Sequence, residues 1–176
     1  VESAQTGAWN TGATWVGGVI PTETDNVRIN ANHTVNLPGS DVTINNLTIE
    51  SSGRLQTVNS RELIINGNLT VDGVLESLES NTPEPNIRMI GNNAVLDGTG
   101  VIEFTANLNN NDNRIFFFEN NVTIAASANL TFDHQDADNP DFIEISDNVI
   151  VTNNGSVTIN RNIFGTNANA TWINGA

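Results

Sequence analysis

The chain has 176 residues, a formal net charge of −14 and no cysteine; all six of its basic residues are arginines. Those facts exclude a disulfide framework and a thiolate metal site, and they set the chain against nucleic acid or an anionic membrane surface as partner. No apolar run approaches the roughly 20 residues of a membrane span, so membrane insertion is not expected, whereas divalent cations, neutral sugars and basic proteins stay compatible with the charge.

Residues 1–25 form a first segment with Trp9, Trp15, the pair Gly17 and Gly18, and Pro21. It lacks the pattern that fills the rest of the chain. A repeating core needs a cover at its open end, and two tryptophans suit that task. The rival reading makes the same indoles stacking platforms for sugar rings. We expect an N-terminal Trp-containing cap.

Residues 26–176 are organised by a twelve-residue phrase, clearest at 148–159 as N-V-I-V-T-N-N-G-S-V-T-I. An asparagine leads, apolar residues take the second and fourth places, a small residue the eighth, and apolar residues the tenth and twelfth. Copies start at Asn26, Asn46, Asn68, Asn93, Asn121 and Asn148, with spacings of 20, 22, 25, 28 and 27 residues; the copy at Asn68 is two residues short. In the first copy His33 takes the glycine place. Apolar residues at every second place mark strands, and the small residue turns a corner between them. Repeats of this size are the signature of a solenoid. The expected fold is therefore all-β: a right-handed parallel β-helix of about six coils, three strands to the coil.

The first strand of each coil carries the pairs Leu47/Ile49, Leu69/Val71, Ala94/Leu96, Val122/Ile124 and Val149/Val151. The second carries Val35/Leu37, Leu55/Thr57, Leu75/Ser77, Ile102/Phe104, Leu130/Phe132 and Val157/Ile159. The third lies just before each asparagine, with Leu63/Ile65, Phe116/Phe118 and Ile143/Ile145 inward; Arg88 disturbs its pattern. Equivalent residues should stack about 4.8 Å apart. The leading asparagines should bond across a corner to the next coil. Asn32, Asn46, Asn68, Asn121, Asn129, Asn154 and Asn169 also match glycosylation signals, mostly because the repeat places Thr two residues on. A partial copy at Asn169 offers Ala170 and Trp172 as its inward pair and stops within the repeat. Further domains of a longer chain are the expectation.

Chemistry is expected on the connection from second to third strand, which grows from residues 58–62 to 78–86, 105–113 and 133–141. Loops stacked at one corner of a rigid scaffold are where binding commonly resides. Asn110 and Asp112 belong to the third of them. The last gathers Asp133, Asp136, Asp138 and Asp141 with His134, a hard-oxygen set that suits calcium, although no defined calcium loop occurs. Catalysis has thinner candidates: Glu76 and Glu103 hold equivalent outward places on neighbouring coils, and two adjacent carboxylates can share a proton. Asn36, Gln56, Thr131 and Thr158 fill the rest of their expected row, supplying neither base nor cation. Outward Thr48, Thr70 and Thr123 raise the further possibility of an ice-binding row, interrupted by Val95 and Ile150.

The stretch 6–37 carries Trp9, Trp15, Gly17, Gly18, Pro21, Asp25, Val27 and Ile29 in the order W-x(5)-W-x-G-G-x-x-P-x-x-x-D-x-V-x-I. It resembles the opening of large secreted β-helical surface proteins of Bacteroidetes type, and is similar to extracellular glycine-rich β-helix domains. The resemblance implies secretion or cell-surface display, a β-helix, and adhesin or polysaccharide-binding roles, and it carries over no catalytic residue. The expected function is a non-catalytic surface module that binds carbohydrate or a cell-surface protein through its loop edge, with calcium as the candidate ion. The alternative is a polysaccharide lyase or glycoside hydrolase of β-helix fold.

Overall fold

A computed structural model describes residues 1–57, 61–78, 87–104, 116–134, 143–160, 164–167 and 169–175, with backbone alone at His134 and at 164–166. The chain is all-β, apart from two short 3-10 turns at Gly12–Thr14 and Val16–Gly18. Short strands alternate among three sheets in which every pairing is parallel. This is the pattern of a parallel β-solenoid.

The first face holds Val27–Ile29, Leu47–Ile49, Leu69–Val71, Ala94–Asp97, Val122–Ile124, Ile150–Asn153 and Thr171–Asn174. On the second lie Gly7–Ala8, Thr34–Asn36, Arg54–Thr57, Val74–Ser77, Val101–Phe104, Asn129–His134 and Ser156–Asn160. The third contains Val42–Ile44, Leu63–Ile65, Ile87–Met89, Phe116–Phe118, Ile143–Ile145 and Phe164–Thr166.

Alternation puts one apolar column after another into the core. Leu63, Ile87, Phe116 and Ile143 stack on the third face, beside Ile65, Met89, Phe118 and Ile145, and all are sealed from solvent. Burial of each such side chain is worth about 1.5–3 kcal/mol, and this summed term drives the fold. Arg88 fits the alternation after all, pointing outward between buried Ile87 and Met89. A strand the sequence reading omitted, Val42–Ile44, heads this face and pairs with Leu63–Ile65.

Registers on the other two faces differ from a count taken from each leading asparagine. Leu69 pairs with Leu96, not Ala94, and Val122 pairs with Val151, not Val149. On the second face Ile102 pairs with Phe132, not Leu130. Each slip is two residues, so inward residues stay inward; a slip of one would turn every apolar side chain to water. The slips arise at the corners, whose lengths vary. At the short corner a Cβ on Gly73 would collide with the Gly53 carbonyl. Gly98 adopts φ +116°, a region glycine tolerates and other residues rarely do.

Trp9 and Trp15 are 3% and 2% exposed, with their rings edge to face at 4.9 Å. Trp15 Nε1 donates to the Trp9 carbonyl at 2.6 Å. Rings this deeply buried cannot serve as stacking platforms for sugars. Gly7–Ala8 pairs with Val35–Asn36, which joins this segment to the second face.

Candidate functional site

The second-face slip builds a site that a count along the phrase does not reveal. The outward row there runs Asn36, Gln56, Glu76, Glu103, Asp133, Asn160. Three carboxylates thus occupy three consecutive turns of the chain. Thr131 and Thr158, expected in this row, lie in the neighbouring one with Thr34, Arg54, Val74 and Val101.

Arg54 supplies the cation that the sequence reading found missing. Its Nη1 donates to Glu76 Oε2 at 2.5 Å and to Glu103 Oε1 at 3.2 Å. Gln56 Nε2 donates to the same Glu76 oxygen at 2.7 Å. Glu76 is 7% exposed, and a carboxylate this buried needs such partners. Burial alone would lower the pKa of Arg54, but hydrogen bonds to Glu76 and Glu103 and their charge prevail and raise it. Burial first, and then the negative charge of Glu76, push the Glu103 carboxyl above its ordinary value; Arg54 opposes the shift and Asp133 adds to it.

The other faces repeat the device without accumulating acid. On the third, Arg88 Nη1 donates to Glu62 Oε2 at 2.7 Å and Arg88 Nε to Glu119, which together raise its pKa. Arg28 pairs with Glu50 on the first face and lies 3.8 Å from Glu2. Among the described residues, each face therefore has one arginine that ties carboxylates of adjacent turns together.

Asp133 belongs to the strand Asn129–His134 and not to the loop that follows, and the His134 backbone pairs with Phe104. Asp136, Asp138, Asp141, Asn110 and Asp112 lie outside the described residues, as do most of the expected binding loops. Among the described residues no group of three His, Asp or Glu side chains gathers to hold a metal ion. The outward Thr48 and Thr70 do stack, but Asp97 follows them, while Thr123 stacks with Val95 and Thr152.

Four of the six leading asparagines, Asn26, Asn46, Asn68 and Asn121, bond from one turn to the next, while Asn93 and Asn148 adopt positive φ, 55° and 61°. Asn46 Nδ2 donates to Asn26 Oδ1 at 2.6 Å, and Asn46 Oδ1 accepts from the Asn68 backbone N–H at 2.6 Å. Asn68 and Asn121 accept likewise from the N–H groups of Val95 and Ile150. These amides satisfy corner donors, which accounts for their recurrence. No protein-family model, curated protein or solved structure matches the chain.

Proposed function

We propose that the chain is a non-catalytic extracellular surface module, a right-handed parallel β-helix of about six coils capped by residues 1–25. It binds carbohydrate or another cell-surface partner through the loops between second and third strands, and calcium held by the 133–141 loop assists. The observation that carries this reading is the bonding of both catalytic candidates: Glu76 and Glu103 accept hydrogen bonds from one guanidinium. Carboxylates held in an ion pair by one guanidinium are less available to exchange protons with a substrate. The same arginine device on the other faces, where no acid cluster exists, supports a scaffold role for it.

One observation favours a second reading, a polysaccharide lyase or glycoside hydrolase. Glu76, Glu103 and Asp133 stand on consecutive turns, and Glu103 holds its proton more tightly than an isolated carboxyl. A proton donor beside an ionised acid is what glycoside hydrolysis needs. A screen against neutral and acidic polysaccharides separates the two. Binding without turnover, lost when residues 133–141 are replaced by a short turn, is the expected result. Turnover abolished by Glu103→Gln would defeat the surface-module reading. For calcium, a ligand held only by the native state must raise its melting temperature; no change on chelation would remove the ion from the proposal.

A further inference from the structure

A cleft of about 540 Å³ opens near the N-terminal end, between residues 21–23 and residues 38–43. Trp9, Pro21 and Glu23 line one side, and Ser40, Asp41 and Thr43 the other. Its size lies within the range of small-molecule sites. We propose that this cleft is a binding subsite for a neutral sugar unit. The proposal rests on the surface-module reading above and adds to it a sugar site outside the loop edge.

Both walls are held in place by contacts from behind. Thr22 N and Oγ1 donate to Asp25 Oδ2 at 2.8 and 2.7 Å, which closes the turn on one side. On the other, Arg61 Nε donates to the Gly39 carbonyl at 3.0 Å and Glu62 N–H to Asp41 Oδ1 at 3.1 Å. Val42 N–H also donates to the Glu62 carbonyl at 2.9 Å. A preformed site loses little entropy on binding.

The lining fits a polyhydroxylated, uncharged ring. Glu23 and Asp41 are exposed acceptors for sugar hydroxyls, and each carboxylate can accept several hydrogen bonds. Ser40 and Thr43 add hydroxyls that both donate and accept, and the Thr22 hydroxyl, which donates to Asp25, can still accept. Pro38, half-buried, offers apolar surface to the C–H face of a ring. Among the described lining residues the charged side chains are Glu23 and Asp41, so uronates, sulfates and phosphates would meet like charge there. Trp9 adds an independent observation. It is 3% exposed, and among the described residues its indole N–H has no hydrogen-bond partner. That nitrogen is not sealed in the core either, since Thr57 Oγ1 is the fully buried side-chain polar atom left unpaired. Trp9 is a lining residue of the cleft, and an indole N–H that reaches solvent there can donate to a sugar oxygen in place of water.

The test follows the Trp9 indole ¹⁵N–¹H resonance of the full chain during titration with cello-, manno- and xylo-oligosaccharides, with oligogalacturonate as the anionic arm. A saturable shift with at least one neutral sugar, and none with oligogalacturonate, is expected. Trp9→Phe should weaken binding about tenfold by removing the donor, and Ser40→Trp, at an exposed loop position, should abolish it. A variant with residues 133–141 replaced should still show the Trp9 shift. If neutral glycans bind but the Trp9 resonance stays still, or Ser40→Trp binds as well as wild type, the cleft is not the site and the surface-module reading stands. An equal response to oligogalacturonate would overturn the neutral-sugar assignment. If no glycan binds anywhere on the chain, the cleft proposal and the carbohydrate part of the module reading fall together.

Discussion

The third and second faces follow the same alternation and come out differently. On the third, both inward columns are apolar from Val42 and Ile44 as far as Ile143 and Ile145. On the second, one inward column begins with Thr57 and Ser77 before it reaches Phe104. Outward, the third face sets one arginine between two glutamates, while the second lines up three carboxylates against one arginine. The third face is thus close to a pure packing surface. The second keeps buried polar groups and surplus charge, both of which cost stability, and a face that tolerates such costs is the better place to look for function.

The largest effect that separates the faces should come from the aromatic packing where they meet. Phe116 of the third face contacts Phe118 at 5.0 Å and Phe132 of the second at 5.3 Å, centroid to centroid. Phe116→Ala should cost about 3–5 kcal/mol, read as a lower urea midpoint at unchanged slope. A loss below about 1 kcal/mol would mean that the two faces are not packed through this ring.

Next come the arginines. Arg54→Met should cost about 2 kcal/mol, because it leaves Glu76 buried without its cation. Arg88→Met should cost about 1 kcal/mol or less, since both of its partners are more exposed and can turn to water. Paired thermal melts check the order. The reverse order would show that Glu76 is better solvated than its 7% exposure implies.

These contrasts also show what could be read from the sequence. Inward and outward parity was legible on the first two faces and, on the third, at Leu63/Ile65, Phe116/Phe118 and Ile143/Ile145, because a period of two survives any even slip; it was not legible around Arg88, and the strand Val42–Ile44 was missed. The third-face register was legible too, including the place of Phe116 and Phe118. Registers on the first and second faces were not. The phrase counts from its asparagine, but hydrogen bonding counts from the previous turn, and the corners between them differ in length. Asp133 was therefore assigned to a loop and Thr131 to the carboxylate row, although continued alternation through Leu130, Phe132 and His134 was a usable sign that the strand went on. Arg54 was missed for a related reason: it lies two residues off the Glu76 row, and only its reach across to the next turn joins the two. The Asp133–Asp141 cluster was legible as composition alone.

A smaller gain is expected at Thr57. Its side chain is 1% exposed and its Oγ1 has no hydrogen-bond partner, so the desolvation cost of the hydroxyl is uncompensated. Thr57→Val keeps the shape and removes that cost, and should raise stability by about 1 kcal/mol. Unchanged or lower stability in a denaturant titration would mean that the hydroxyl is satisfied in solution, for which a bound water would be the physical route.

The subtlest contrast is in pH dependence. Burial, and then the charges of Glu76 and Asp133, hold the Glu103 pKa above its ordinary 4.5 despite Arg54. The folded state therefore binds this proton more tightly than the unfolded chain does. The resulting contribution is complete below the ordinary carboxylate value, and it is lost as pH rises through the folded value. Glu103→Gln carries no such proton and keeps a side chain of the same shape. Its stability relative to wild type should rise as pH increases from about 4 to about 7, with most of the change just above the ordinary glutamate range. Matched pH-dependent melts of wild type and Glu103→Gln decide the point. A flat difference for Glu103→Gln would mean that the three carboxylates do not interact across the row, and the second reading of the site would lose its one supporting observation.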